Sequence, residues 1–116
     1  MAKRKIPNLI ERRHLLAKNL DAKQATALAD VYLAEDRVVD ALAFLAQAGD
    51  TERLEALAEQ AIASGDAFLL KATLEAANDD VHDRDRWVRL AAAAEAAGKS
   101  LYATVALHMA NPVEQS

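Results

Sequence analysis

The sequence predicts an all-α fold, a short antiparallel solenoid of helix hairpins with about seven helices in three degenerate pairs. Alanine and leucine dominate its apolar residues, and its 116 residues include three glycines and two prolines, which favours closely packed helices. Apolar positions recur with a period near 3.6 residues. Parts of the chain also align with the parts that follow them, which indicates a repeated helix pair.

Seven helices follow from this periodicity and from the residues that start and stop helices. The predicted ranges are Asn8–Asn19, Ala22–Glu35, Val38–Ala48, Thr51–Ser64, Ala67–Ala77, Arg84–Ala97 and Ser100–Ala110. Three aspartates at equivalent places in the repeat are expected to cap helices by accepting hydrogen bonds from backbone amides of the first helical turn: Asp21, Asp50 and Asp83. Residues that tolerate a left-handed conformation are expected to close the turns: Asp36, Gly65 and Gly98 within pairs, and Gly49, Asn78 and Asn111 after them.

The repeat appears when Ala25–Asp50 is laid over Leu54–Asp79 without a gap, and again after a short insertion at Asp79–His82. The matched positions are Leu28 with Leu57 and Leu90, Leu45 with Leu74 and Leu107, Ala48 with Ala77 and Ala110, and Gly65 with Gly98. Short turns between helices of similar length make neighbours antiparallel, so the pairs are expected to stack.

These positions resemble the tetratricopeptide repeat (TPR), in which Leu-Gly/Ala and Tyr mark the first helix and Ala, a large apolar residue and Ala mark the second. The first copy carries Leu28, Ala29, Tyr32, Ala41, Leu45 and Ala48. The third carries Trp87, Leu90, Ala91, Ala103, Leu107 and Ala110, and the middle copy keeps Leu57, Ala58, Leu74 and Ala77. The closing proline is missing and the first period is shorter than about 34 residues, so a more divergent α-solenoid is the alternative.

The resemblance implies one TPR-like domain over residues 8–111, with a flexible basic arm at 1–7 and a flexible tail at 112–116. Within it, the residues expected to form the core are Leu28, Tyr32, Leu57, Trp87 and Leu90. The alanine-rich run in the sixth helix is expected to be a close helix contact. The alternative is that a second copy docks there.

In the family that the chain resembles, the first helices of the pairs line a concave surface. The resemblance therefore implies that this chain has such a concave surface, in the form of a mostly acidic groove. Its expected residues are Asp30, Leu33, Glu52, Glu55, Glu59, Ile62, Asp85, Val88 and Arg89. We expect it to hold a basic peptide or helix, with charge-assisted contacts from the carboxylates and burial against Leu33, Ile62 and Val88. The alternative is an ordinary solvated face. The Lys, Arg and Asn set with which some family members grip a C-terminal carboxylate is missing.

The basic N-terminal end allows three interpretations. Its cations are Lys3, Arg4, Lys5, Arg12, Arg13 and Lys18. In the first interpretation they belong to a solvated arm, in the second the arm folds back onto the acidic groove, and in the third it contacts a phosphate backbone. The last makes a nucleic-acid-binding accessory protein the alternative function, although the acidic remainder of the chain, with a net charge of −4 overall, opposes a polyanion.

No enzymatic chemistry is expected. The chain has no cysteine, and neither His14 nor His108 has an apparent acid, base or second ligand beside it. No phosphate-binding glycine loop or catalytic motif occurs. A cation is conceivable only at the acidic segment Asp79–Asp85, which lacks the spacing of an EF-hand loop, so we expect neither a metal nor a cofactor.

The expected function is therefore protein–protein interaction in the cytoplasm. No apolar run approaches the ~20 residues of a membrane span, and the first residues lack the apolar stretch of a secretory signal. Self-association is a second expectation, because the predicted last helix leaves an apolar face uncovered at Leu101, Val105 and Met109.

Overall fold

A computed structural model describes residues 6–18 and 20–111, and these residues form seven helices and no strand. The helices are α1 (Leu9–Ala17), α2 (Ala22–Ala34), α3 (Val38–Ala48), α4 (Thr51–Ser64), α5 (Ala67–Ala76), α6 (Arg84–Ala96) and α7 (Ser100–Ala110). The predicted all-α class and the number of helices are confirmed. Most of the predicted arm and all of the predicted tail, at residues 1–5 and 112–116, lie outside the described residues.

The chain divides into two compact units, with the boundary between Leu54 and Glu55. The first unit contains α1, α2 and α3, and the second contains α5, α6 and α7. Helix α4 begins in the first unit and continues in the second.

In the first unit, α2 and α3 form an antiparallel hairpin around an aromatic pair. The rings of Tyr32 and Phe44 are fully buried and stacked, with their centroids 5.6 Å apart. The Arg12 guanidinium of α1 lies 5.8 Å and 5.6 Å from these two centroids, and its Nη2 donates to the carbonyl oxygen of Asp40 at 2.9 Å. Helix α1 is thus attached to the hairpin by a cation–aromatic contact and a hydrogen bond.

In the second unit, α6 and α7 form a hairpin with the same helix lengths as α2 and α3, 13 and 11 residues. Helix α6 buries two large side chains, Trp87 and Leu90, and two small ones, Ala91 and Ala94. Helix α7 buries Ala103, Ala106 and Ala110, and these small side chains let the two helices pack closely. Helix α5 also contacts α7.

The predicted core is confirmed, since Leu28, Tyr32, Trp87 and Leu90 are at most 1% exposed and Leu57 is 9% exposed. The alanine-rich run of α6 makes the expected close contact at Ala94, whereas Ala92, Ala96 and Ala97 of the run are exposed. Its Ala94 is fully buried, and a Cβ placed on Gly65 would lie only 2.7 Å from the Ala94 Cα.

The turns follow the prediction with one exception. A positive φ occurs at five of the predicted positions: Asp36, Gly49, Gly65, Asn78 and Gly98. At Asn111 the prediction is wrong, because φ is −130°. Its backbone amide donates to Leu107, and its side-chain oxygen accepts from Nε of Arg84 at 3.2 Å. The side chain of Asn111 thus contacts the start of α6.

The predicted helix caps hold at two of the three aspartates. Asp21 accepts from the Gln24 amide at 2.8 Å, and Asp50 accepts from the Arg53 amide at 3.1 Å. Asp83 precedes α6 but accepts no hydrogen bond from a first-turn amide within the described residues. Its carboxylate faces the Arg86 guanidinium instead, at 3.2 Å, so the prediction of a third aspartate cap is wrong.

Candidate protein interaction site

An apolar groove runs along the second unit between α5 and α7, with a volume of about 270 Å³. We call it the α5–α7 groove. Its lining consists of Ala67, Phe68, Lys71, Trp87, Tyr102, Val105 and Met109. Six of these side chains are mainly or wholly apolar, and Lys71 is the charged member of the lining. A concave, mostly apolar surface of this kind is typical of a binding site.

The floor of the groove is held in place by Trp87. Its side chain is fully buried, and its indole Nε1 donates to the carbonyl oxygen of Val81 at 2.8 Å. Because that hydrogen bond satisfies the only polar atom of the side chain, the ring is fixed beneath the groove.

The walls of the groove are exposed because α5 and α7 bury their opposite faces. Helix α5 buries Leu70 and Leu74 and leaves Phe68 65% exposed. On α7, Tyr102 is 36% and Val105 is 40% exposed. Large side chains in this arrangement offer apolar area that a partner can cover.

Helix α7 continues the apolar surface beyond the groove. Its sequence, SLYATVALHMA, contains no Asp, Glu, Lys or Arg, although most of its residues are exposed and Leu101 is 74% exposed. An exposed helix of a monomer normally carries charged residues on its solvent side. We call the exposed stripe of Leu101, Thr104, Val105 and His108 the outer face of α7.

The residues predicted for an acidic groove lie in both units, and three of them belong to the first. Asp30 is exposed and bonded to Nη1 of Arg53 at 2.6 Å, Leu33 is half-buried, and Glu52 is exposed. Arg53 also bonds Asp50 through Nε at 2.8 Å. Hydrogen bonds from the Arg53 side chain lower the pKa of Asp50, and its bonds to Asp50 and Asp30 raise the pKa of Arg53.

In the second unit, Arg86 forms ion pairs with three carboxylates. Its guanidinium lies 3.2 Å from Glu55, 3.3 Å from Asp79 and 3.2 Å from Asp83, and its side chain is 15% exposed. Burial lowers the pKa of Arg86, but the surrounding carboxylates raise it above its ordinary value. This guanidinium therefore stays charged and joins α4, α6 and the segment between α5 and α6.

A second arginine of α6 engages the next turn of α4. Arg89 bonds both carboxylate oxygens of Glu59, at 3.0 Å and 3.2 Å, and also lies 3.3 Å from Asp85. Hydrogen bonds from Arg89 lower the pKa of Glu59, and the same bonds raise the pKa of Arg89. Val88 beside it is 36% exposed.

The acidic surface thus differs in two respects from the predicted groove. Its carboxylates in the second unit are already bonded to Arg86 and Arg89, so only part of their oxygen atoms remain free acceptors. Ile62, expected to supply an apolar floor, is only 5% exposed and belongs to the core, a correction to the predicted groove. Five carboxylates still share these two guanidinium groups, which leaves the surface acidic.

Sequence reasoning predicted the exposed apolar face of α7, where Leu101 is 74% and Val105 is 40% exposed, but missed the arginine contacts and the wall of the groove that Phe68 of α5 supplies. The absence of charge in Ser100–Ala110 marks α7 as an unusual exposed helix. The pairs Asp50–Arg53 and Asp83–Arg86 stand at equivalent positions of the repeat and both form ion pairs.

The basic end of the chain is described only in part, because Lys3, Arg4 and Lys5 lie outside the described residues. Arg12 contacts the aromatic pair and the backbone of Asp40 rather than the acidic surface. Across residues 6–18 and 20–111, no three His, Asp or Glu side chains are grouped to hold a metal ion. None of the described helices has the length and apolar content needed to cross a membrane.

Comparison with protein-family models, with curated proteins and with solved structures gave no match for this chain.

Proposed function

We propose that this chain is a protein-interaction module that holds an apolar helical segment of a partner in the α5–α7 groove. The observation that carries the proposal is the exposed, uncharged helix α7 beside a groove of about 270 Å³ whose floor is a fixed tryptophan. An amphipathic helix laid into an apolar groove is a common mode of recognition between proteins.

The energetics of burial support this function. Covering a large apolar side chain contributes about 1.5–3 kcal/mol, and Phe68, Leu101 and Val105 all retain substantial exposed area. Aromatic residues such as Phe68 and Tyr102 are frequent anchors of interfaces. Lys71 at the edge of the groove is exposed, so its ammonium group can stay in solvent while its aliphatic stem adds to the apolar lining.

The proposal includes a TPR-like architecture, which the equal lengths of the hairpins α2–α3 and α6–α7 support. The repeated left-handed turns at Gly65 and Gly98 support it as well. A cytoplasmic module is also part of the proposal, because a cysteine-free chain suits a reducing compartment.

Site-specific photo-crosslinking tests the proposal. The photoreactive residue p-benzoylphenylalanine replaces Phe68 in the full chain, and a matched control chain carries it at Val39, an apolar residue of α3 that is 44% exposed. We expect irradiation in cells to give a discrete covalent product from position 68 but not from position 39. Adding Val105→Lys should abolish that product, because it places a charge in the groove.

Equal labelling at both positions, or a product that survives Val105→Lys, would contradict the proposal. Circular dichroism of Val105→Lys must show unchanged helicity. Because Val105 is 40% exposed, the substitution is expected to leave the fold intact.

A second candidate function, binding of a basic peptide, is favoured by the excess of carboxylates around Arg86 and Arg89. An arginine-rich peptide titrated into the full chain should bind, and Glu55→Gln should weaken it because Glu55 is exposed and offers a free carboxylate oxygen. Glu35→Gln, at an exposed glutamate that follows α2, is the control. Equal affinities for the two variants would exclude this surface as the site.

A further inference from the structure

We infer that the segment held in the α5–α7 groove is α7 of a second copy of this chain, in an antiparallel pair of α7 helices related by a two-fold axis. This inference deepens the proposed function and rests on it. It commits the groove to one occupant, and the charge, register and area of the surface each support that choice.

The charge of the surface favours a second copy. A two-fold interface pairs each residue of a patch with another residue of the same patch, so a charge without an opposite charge in that patch would lose its solvent unpaired. The outer face of α7 consists of Leu101, Thr104, Val105 and His108 and carries no Asp, Glu, Lys or Arg. The remaining surface of the chain is acidic overall, so contact through this helix avoids repulsion between two negatively charged molecules.

The register of an antiparallel pair brings protruding and concave parts together. Leu101, Val105 and Met109 follow one another at the spacing of a helix turn, so they form one ridge. If the two helices cross at Val105, Leu101 of each copy lies opposite Met109 of the other. Met109 lines the groove and Leu101 is 74% exposed, so a protruding side chain meets a concave surface on both sides of the axis.

The exposed apolar area supplies most of what a stable dimer needs. The exposed fractions are 65% for Phe68, 74% for Leu101, 36% for Tyr102 and 40% for Val105. With roughly 150–200 Å² for each large apolar residue, these fractions correspond to about 320–430 Å² on each copy. A typical interface buries about 800 Å² on each partner, of which about 65% is apolar in homodimers, or about 520 Å², so these four side chains supply more than half of that apolar area.

Analytical ultracentrifugation of the full chain over a range of concentrations tests the inference. The expected result is a reversible monomer–dimer equilibrium that Leu101→Lys weakens. The matched control is Leu9→Lys on α1 in the first unit, because Leu9 is 75% exposed and Leu101 is 74% exposed. Both substitutions add the same charge at the same exposure, so they differ only in the surface that they change.

We expect Leu101→Lys to raise the dissociation constant by about a hundredfold, because Leu101 is buried twice in a two-fold dimer. This corresponds to about 3 kcal/mol at about 1.4 kcal/mol for each tenfold change. Leu9→Lys is expected to leave the dissociation constant within about twofold. A strict monomer at every concentration, or a dimer that both variants weaken equally, would overturn the inference.

An NMR experiment on a mixture of isotope-labelled and unlabelled chains tests the register. We expect intermolecular nuclear Overhauser effects between the methyl groups of Leu101 and those of Met109. A dimer whose intermolecular contacts lie outside α5 and α7 would refute the inference.

The failure of the inference is distinguishable from that of the proposed function. A monomer that still gives a discrete crosslink from position 68 to a different protein refutes only the second copy, whereas a chain without either contact refutes both.

Discussion

Substituting Gly65 with alanine tests how closely the turn between α4 and α5 approaches α6. Gly65 has a φ of +70°, a conformation that side chains with a Cβ rarely adopt. A Cβ at this position would lie 2.7 Å from the Cα and 2.9 Å from the backbone nitrogen of Ala94. Both neighbours are backbone atoms inside a helix, so the contact is relieved only if α6 or the turn that holds Gly65 moves.

The expected loss of stability has two parts. The left-handed conformation costs alanine about 1–2 kcal/mol, and forcing an added methyl group into packed structure costs about 1–3 kcal/mol. Gly65→Ala should therefore lower the free energy of unfolding by about 2–5 kcal/mol. That is a large part of the roughly 5–15 kcal/mol that stabilises a typical domain.

Gly98→Ala is the matched control, because Gly98 occupies the equivalent turn between α6 and α7 with a φ of +75°. A Cβ there would meet no atom within 4 Å among the described residues. It should cost only the conformational part, about 1–2 kcal/mol. The difference between the two variants therefore isolates the contact with Ala94.

Urea denaturation followed by the fluorescence of Trp87, the single tryptophan of the chain, measures both variants in the second unit. Far-ultraviolet circular dichroism at the same urea concentrations checks that helix content is lost in parallel. Equal losses of stability for Gly65→Ala and Gly98→Ala would refute the argument, because the approach of Ala94 would then contribute nothing.

Three further predictions concern single side chains. Thr73→Val should raise the free energy of unfolding by about 1 kcal/mol in urea denaturation, because the buried Thr73 hydroxyl has no hydrogen-bond partner among the described residues. An unchanged or lower value would contradict this. Arg89→Ala should raise the pKa of Glu59 towards its ordinary value, as measured by carbon-13 NMR titration, because hydrogen bonds from Arg89 hold it low. A carboxylate whose pKa is lowered in the folded state stabilises the fold at every pH above its ordinary pKa. This contribution is lost as the pH falls through the folded pKa. Acidification below about pH 4.5 should therefore destabilise the wild type more than the variant. Equal losses would count against the pairing. Arg12→Met should speed hydrogen exchange in α1, measured by mass spectrometry, by removing the cation from Tyr32 and Phe44, whereas the exposed Arg13→Met should not.

The sequence by itself determined the helices, most of their turns and the core. Helices α3, α4 and α7 begin and end at the predicted residues, and α2, α5 and α6 end one residue earlier. Helix α1 begins one residue later and ends two residues earlier than predicted. Positive φ angles at Asp36 and Asn78 were also predictable. These features depend on the apolar period and on turn residues, and both act over a few neighbouring positions. Burial of Leu28, Tyr32 and Trp87 follows from the same period.

The tertiary structure alone decided which carboxylates are already paired with arginines and where the α5–α7 groove lies. Asp83 turns towards Arg86, and the position of Arg86 depends on Glu55, which is 31 residues away in the chain. Ile62 lies at the edge of the apolar stripe of α4, where periodicity cannot distinguish burial from exposure. The α5–α7 groove exists only because two helices distant in sequence lie side by side over Trp87. Such features depend on contacts between remote segments, whereas helix signals are local, and so the helices and the uncovered face of α7 were predictable but the groove that α5 completes was not.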